Sequence, residues 1–141
     1  MSTVDPKPLA DAPDPQVGFK AVRRPDGGMH VTFSKMTHQT VEAWRNFSLA
    51  HLEESDRLTT NLYDLRQIHS LPPEAIQYAV EVNSDPSVRN IRLAVVVADE
   101  VMVRTLKQID ALSAGYGVEM EIFTDIEKAE AWLARPLTLV V

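Results

Sequence analysis

Residues 91–98 read Ile91-Arg92-Leu93-Ala94-Val95-Val96-Val97-Ala98, and this run decides the fold. Apolar side chains stand at both parities, so a strand here hides both faces from water. Such a strand belongs in the middle of a sheet with helices on either side. Asp99 and Glu100 follow at once. They open a helix carrying Met102, Leu106, Ile109, Leu112 and Tyr116, which Gly115 and Gly117 stop.

The same alternation of strand and helix extends both ways. Downstream, Val118, Met120 and Ile122 alternate with Glu119, Glu121 and Phe123, a strand with one wetter face. Thr124 and Glu127 have the spacing of a capping box for a helix that runs to Arg135 and buries Ile126, Ala129, Trp132 and Leu133. Upstream, Thr59 to Leu65 is a short strand, Arg66 to Leu71 a loop, and Pro72-Pro73-Glu74 a helix start. That helix turns Ile76, Ala79, Val80 and Asn83 inward and ends at Ser84-Asp85-Pro86. Before it, Thr40 caps a helix to Arg57 with a stripe at Val41, Trp44, Phe47, Ser48, His51, Leu52 and Ser55. Val17 to Ser34 alternates with period two about Arg24-Pro25-Asp26-Gly27-Gly28, a β-hairpin. The order is ββαβαβαβα. It predicts an α/β domain with a mostly parallel five-stranded sheet, an N-terminal hairpin and four helices.

With 141 residues the chain fits one domain, here residues 17–135. Residues 1–16 hold Pro6, Pro8, Pro13 and Pro15 with Asp5, Asp11 and Asp14, and read as a disordered arm. Residues 136–141 form an apolar tail, Leu137-Thr138-Leu139-Val140-Val141, after the helix-breaking Pro136. The net charge of −6, with Arg23-Arg24 as the only basic pair, argues against nucleic acid and anionic membranes as partners. The chain shows neither a signal peptide nor a transmembrane segment, so a cytoplasmic location is expected. The lack of cysteine removes disulfides, thiolate metal sites and thiol nucleophiles.

No catalytic constellation emerges. His30, His38, His51 and His69 lack metal-ligand spacing. No serine sits in a Gly-x-Ser-x-Gly elbow, and no glycine-rich phosphate loop exists. Asp64, Asp99 and Asp125 fall at carboxyl ends of strands, where open α/β sheets bind ligands. Asp99 and Asp125 read more simply as residues at helix starts. Around Asp64, the residues Tyr63, Arg66, Gln67, His69 and Ser70 form either a binding surface or a solvated loop. Trp44 and Trp132 read as core. With Phe47, Met102 and Leu106 they would wall an apolar pocket if the packing leaves a gap. The expectation is therefore no cofactor, no metal and no enzyme.

Three strings, in order, carry a family resemblance: Asn61-Leu62-Tyr63-Asp64-Leu65-Arg66; Arg92-Leu93-Ala94-Val95-Val96-Val97; and Glu121-Ile122-Phe123-Thr124-Asp125 with Ala129, Ala131, Trp132 and Leu133 after it. Over residues 17–135 the chain resembles SpoIIAA-like proteins. These are related to STAS domains and share a fold with CRAL-TRIO lipid carriers. The resemblance implies a small non-enzymatic α/β domain, often a homodimer, that makes regulatory protein contacts or holds a small apolar ligand. It also implies a departure. Where anti-sigma factor antagonists carry a phosphorylatable serine at a helix start, this chain has Leu71-Pro72-Pro73-Glu74-Ala75. Ser70 precedes the helix and is expected to cap it. The leading expectation is a regulatory or scaffold domain acting through protein contacts without a phosphoserine switch, with the tail touching a second subunit. The alternative is a carrier or sensor of a small lipid-like molecule.

Overall fold

The computed structural model describes residues 15–52, 59–85, 91–115 and 118–135. The first and last residues of the chain, including most of the Pro/Asp-rich arm and the whole apolar tail, lie outside these. So do Glu53 to Arg57 and Tyr116. Five strands and four α-helices follow a single turn of 3-10 helix at Pro15–Val17. They are β1 (Phe19–Arg23), β2 (Met29–Phe33), α1 (His38–Leu52), β3 (Thr59–Asp64), α2 (Pro73–Asn83), β4 (Ile91–Val96), α3 (Glu100–Leu112), β5 (Val118–Phe123) and α4 (Ile126–Leu133). The sheet order is β1-β2-β3-β4-β5. β1 pairs antiparallel with β2, and every later pair is parallel. The fold class expected from the sequence is therefore the one observed.

Strand parity sorts the core into two layers, because successive side chains point to opposite faces. One face presents Val31, Tyr63, Val95 and Met120 to α1, α2 and α3. The other presents Leu62, Ala94 and Val96 to Ala129 and Leu133 of α4. β4 is buried along its whole length, as its doubly apolar sequence requires. Trp132 belongs to the α4 face, against Phe123, so it cannot share a pocket with Trp44.

Several local expectations are corrected. α1 begins at His38, so Thr40 is inside the helix rather than its cap. Thr37 takes the capping place: its hydroxyl accepts from Thr40 N at 3.2 Å. Thr40 instead donates its hydroxyl to Val17 O at 2.6 Å, tying α1 to the chain ahead of β1. Ser70 does not cap α2. Pro72 occupies that position and offers no side-chain bond. Thr124 does not cap α4; Asp125 does, accepting from Glu127 N at 2.8 Å. In α2 the buried residues are Ala75, Val82 and Asn83, while Ile76, Ala79 and Val80 are half-buried. Leu112, expected on the inner face of α3, is 58% exposed.

Gly28 fixes the hairpin against its neighbour. A Cβ there would lie 1.6 Å from Thr60 O and 2.7 Å from Thr60 C, both backbone atoms of β3. Next to it, Met29 N donates to the buried Asn61 Oδ1 at 2.9 Å. Only glycine allows the backbone to approach this closely.

Candidate functional site

The sheet and its three-helix layer leave a small apolar cavity of about 60 Å³. Trp44 and Tyr63 form one wall, Leu93, Val95 and Met120 the sheet floor, and Leu106 and Ile109 the α3 side. From α2 come Ala75, Ala79 and Asn83, spaced four apart so that they share a face. Two small residues in that row leave the space. Met36 and Leu71 also line it, and both are half-buried. They sit on the connections that leave β2 and β3 at the carboxyl edge of the sheet.

Trp44 and Tyr63 meet edge to face, 6.2 Å between centroids at 86°. The indole Nε1 donates to the Tyr63 hydroxyl at 3.3 Å. Burial pushes the Tyr63 phenol above its ordinary value. Ser48, buried beside them, has no hydrogen-bond partner of good geometry. It lies near enough to the phenol to temper that rise, as does Trp44.

Asp64, one residue after Tyr63, points to the other face of the sheet. The pair expected to share one surface is therefore divided between two. Arg66 closes back on Asp64: its Nε and Nη2 donate at 2.9 and 2.7 Å, and its backbone N at 3.0 Å. Burial would raise the Asp64 carboxyl, but these bonds outweigh it and hold the group below its usual value. His69 is exposed, and its Nδ1 stands 3.8 Å from Asp99 Oδ2. Ser70 is exposed, and Met102 is fully buried in the core without lining the cavity. Phe47 is likewise core only. Of the residues singled out from sequence, the structure brings Trp44, Tyr63 and Leu106 together at the cavity, and sets Asp64 with Arg66 and His69 near Asp99.

The carboxyl edge has one place where neighbouring connections leave for opposite faces, between β4 and β5. Open α/β sheets bind ligands in such crevices. Here Asp99 accepts from Met102 N at 3.0 Å and Asp125 accepts from Glu127 N, so both acids cap helices. Among the described residues no group of three or more His, Asp or Glu is arranged to hold a metal ion. Nor is any helix among them long and apolar enough to cross a membrane.

Two ion pairs tie α1 to α2 beside the cavity. His38 Nδ1 lies 2.8 Å from Glu74 Oε2, and its Nε2 lies 3.2 Å from Glu42. Farther along, Arg45 meets Glu81 through both nitrogens of its guanidinium fork and lies over the Tyr78 ring. The hydrogen bond to Glu74 raises the His38 pKa above its model-peptide value.

Sequence reasoning missed Met36, Leu65, Leu71 and Ala75 as lining residues. The repeating Ala75-Ala79-Asn83 spacing was the available signal.

No family model matches this sequence, and no curated protein matches it. The fold does have a solved counterpart. An uncharacterised protein of the DUF3478 family from Shewanella loihica PV-4, itself described as having a SpoIIAA-like fold, superposes with a TM-score of 0.60. It is 17% identical and is matched over 83% of this chain and 94% of its own. The fold of this chain is SpoIIAA-like.

Proposed function

We propose that the protein is a non-enzymatic regulatory or scaffold domain that works through protein contacts. Two observations carry this reading: an exposed apolar pair on α3, and an outer edge of β5 that has no partner strand among the described residues. Val101 and Leu112 are 55% and 58% exposed and stand about three turns apart on one side of α3. Separately, β5 is the last strand of the sheet and carries half-buried Val118 and Ile122. Exposed apolar side chains suit a protein contact, and a strand edge unpaired among the described residues suits strand addition. The acids at the carboxyl edge are engaged in structural bonds, which favours binding over catalysis. The Pro72-Pro73 helix start offers no hydroxyl for a phosphoserine switch.

A photo-crosslinking residue at position 112 of the full chain tests this, with position 77 on the exposed side of α2 as control. Discrete protein adducts are expected from 112 and not from 77. A protein that gives no adduct at 112 under any growth condition does not act through this flank.

A second reading, a small apolar ligand, rests on the cavity. Its volume is less than half that of the roughly 150 Å³ void that accepts benzene, and far below the roughly 300 Å³ of ordinary ligand pockets. As shaped, it suits a group of a few carbon atoms rather than a lipid chain. Native mass spectrometry of the purified protein checks this reading, which requires a retained mass beyond the polypeptide.

A further inference from the structure

α4 covers only part of its face of the sheet. It packs over β3, β4 and β5. Lys20 and Val22 of β1 and His30 and Thr32 of β2 point to that same face, because Phe19, Ala21, Met29, Val31 and Phe33 point to the other. These four side chains stay exposed or half-exposed. Between the hairpin and α4 lies a trough of about 320 Å³, within the size range of ligand pockets and about five times the apolar cavity. Val22 and His30 form its floor, Arg23, Arg24 and Asp26 one wall, and Glu130 of α4 the other. We propose that this trough binds a small organic oxyanion, a carboxylate or a phosphate ester with a compact apolar group. The site is independent of the protein-contact surfaces, which lie on α3 and at β5 on the far edge of the sheet.

Arg24 is the main anion-binding group. Its side chain is only 10% exposed, and two of its three nitrogens are already engaged. Nε donates to the two oxygens of Asp26 at 3.2 and 3.1 Å. Nη2 donates to Asp26 at 3.0 Å and to Glu130 at 2.8 Å. Asp26 is fixed in turn by Gly28 N at 2.9 Å and by the Thr60 hydroxyl at 2.6 Å. Burial would raise the Asp26 carboxyl, but these bonds outweigh it and hold the group below its usual value. The acid stays charged, and the guanidinium is clamped along one side. Nη1 remains. Among the described residues it has no hydrogen-bond partner, and it is not one of the side-chain atoms sealed from water. Two N–H groups on a fixed and nearly buried cation are therefore open in the wall of the trough.

The unused hydrogen-bonding capacity around it favours an acceptor. The His30 ring and the Lys20 ammonium make no hydrogen bond or ion pair among the described residues. Neutral imidazole offers one N–H. Lys20 lies two residues along β1 from Val22, which faces His30 across the strand pair. On the acid side, both oxygens of Asp26 are occupied and Glu130 is spent on Arg24. The charges of Arg23, Arg24, Asp26 and Glu130 cancel, so Lys20 leaves this corner positive on a chain of net charge −6. An oxyanion accepts from Arg24 and His30, with Lys20 adding attraction at longer range. The exposed Val22 side chain supplies an apolar contact for the rest of the molecule. A ligand cation would meet carboxylates whose lone pairs are mostly taken.

Titration of the isotope-labelled full chain with phenyl phosphate, benzoate and benzylamine at constant ionic strength tests the proposal, read by NMR at the backbone amides of residues 22–24, 26–30 and 130. At least one of the two anions should give saturable shifts at these amides at millimolar concentration, and the tighter of the two identifies the headgroup. Benzylamine should bind at least about ten-fold more weakly. Arg24→Gln removes the clamped donors and should weaken anion binding by about ten-fold or more. Arg24 also anchors the hairpin turn, so Val22→Glu is the independent variant. It sets a carboxylate on the floor at an exposed position, and should weaken binding as much while the amide spectrum away from the trough stays unchanged. The absence of saturable shifts with both anions overturns the proposal. So does benzylamine binding as tightly as the anions, which would make this a cation site. Anion binding that survives unchanged in Val22→Glu overturns it as well, because the anion would then sit elsewhere.

Discussion

Filling the cavity should stabilise the protein. Ala79 lines the void from α2, and Ala79→Val adds two carbon atoms that point into it. A residual cavity costs about 24 cal/mol per Å³, so a void of about 60 Å³ represents about 1.4 kcal/mol if wholly filled. Two buried methyl groups give a similar figure, about 1.6 kcal/mol at about 0.8 each. Valine gives back about 0.5 kcal/mol through its lower helix propensity. The expected net gain is about 1 kcal/mol. In urea, where small domains unfold with slopes of about 1–3 kcal/mol/M, this moves the midpoint up by about 0.3–1 M with the slope unchanged. The same variant decides the second reading, since a ligand that needs the void is lost with it. A fall in stability of more than about 1 kcal/mol at constant slope would mean that α2 and the sheet have no room for two carbons, and would refute the packing argument.

Two further perturbations test the frame around this site. Gly28→Ala should cost about 3 kcal/mol or more, because its Cβ would collide with β3 backbone rather than with a movable side chain. Gly27→Ala, with φ +93° but open space around it, should cost only about 1–2 kcal/mol; equal losses in denaturant titrations would contradict this. The third concerns pH. Glu74 raises the His38 pKa above 6.5, so the pair's stabilisation is complete below that value and fades as pH rises through the raised one. Unfolding measured from about pH 5 to about pH 9 should show this decline in the native protein and lose it in Glu74→Gln.

The parts of the fold legible in the sequence are those fixed by local pattern. The doubly apolar run at Ile91–Val96 could only be a central strand, and Asp99 could be seen to cap what followed. The misreadings share a cause, which is partners distant in the chain. Thr40 has the chemistry of a cap, but the acceptor that claims its hydroxyl is Val17 O, twenty-three residues away. Thr124 and Asp125 are equally good caps, and one residue of strand length decides between them. Leu112 fits the inner stripe of α3 by spacing, yet it is the last residue of the helix, turned about a quarter of the way round from Met102, Leu106 and Ile109, and stays 58% exposed. Tyr63 and Asp64 read as one surface at a strand end, although neighbours in a strand face opposite sides of the sheet. The cavity was the least legible feature. It depends on how three helices settle on the sheet, and only the row of small residues on α2 hints at it.

A sheet whose strands lie in the order of synthesis has a consequence for the nascent chain. Each new strand finds its neighbour already in place, although the three parallel pairings join residues 27 to 32 apart and are the slower kind to form. The second face is different. Leu62, Ala94 and Val96 wait for α4, which is translated last among the described elements. Until residues 126–133 leave the ribosome, a nearly complete sheet displays an apolar strip to the cytosol of any host that expresses it. Shortened products ending before α4 should therefore aggregate or be degraded, although they contain every strand found among the described residues. The last helix acts less as a part of the sheet's architecture than as its quality check.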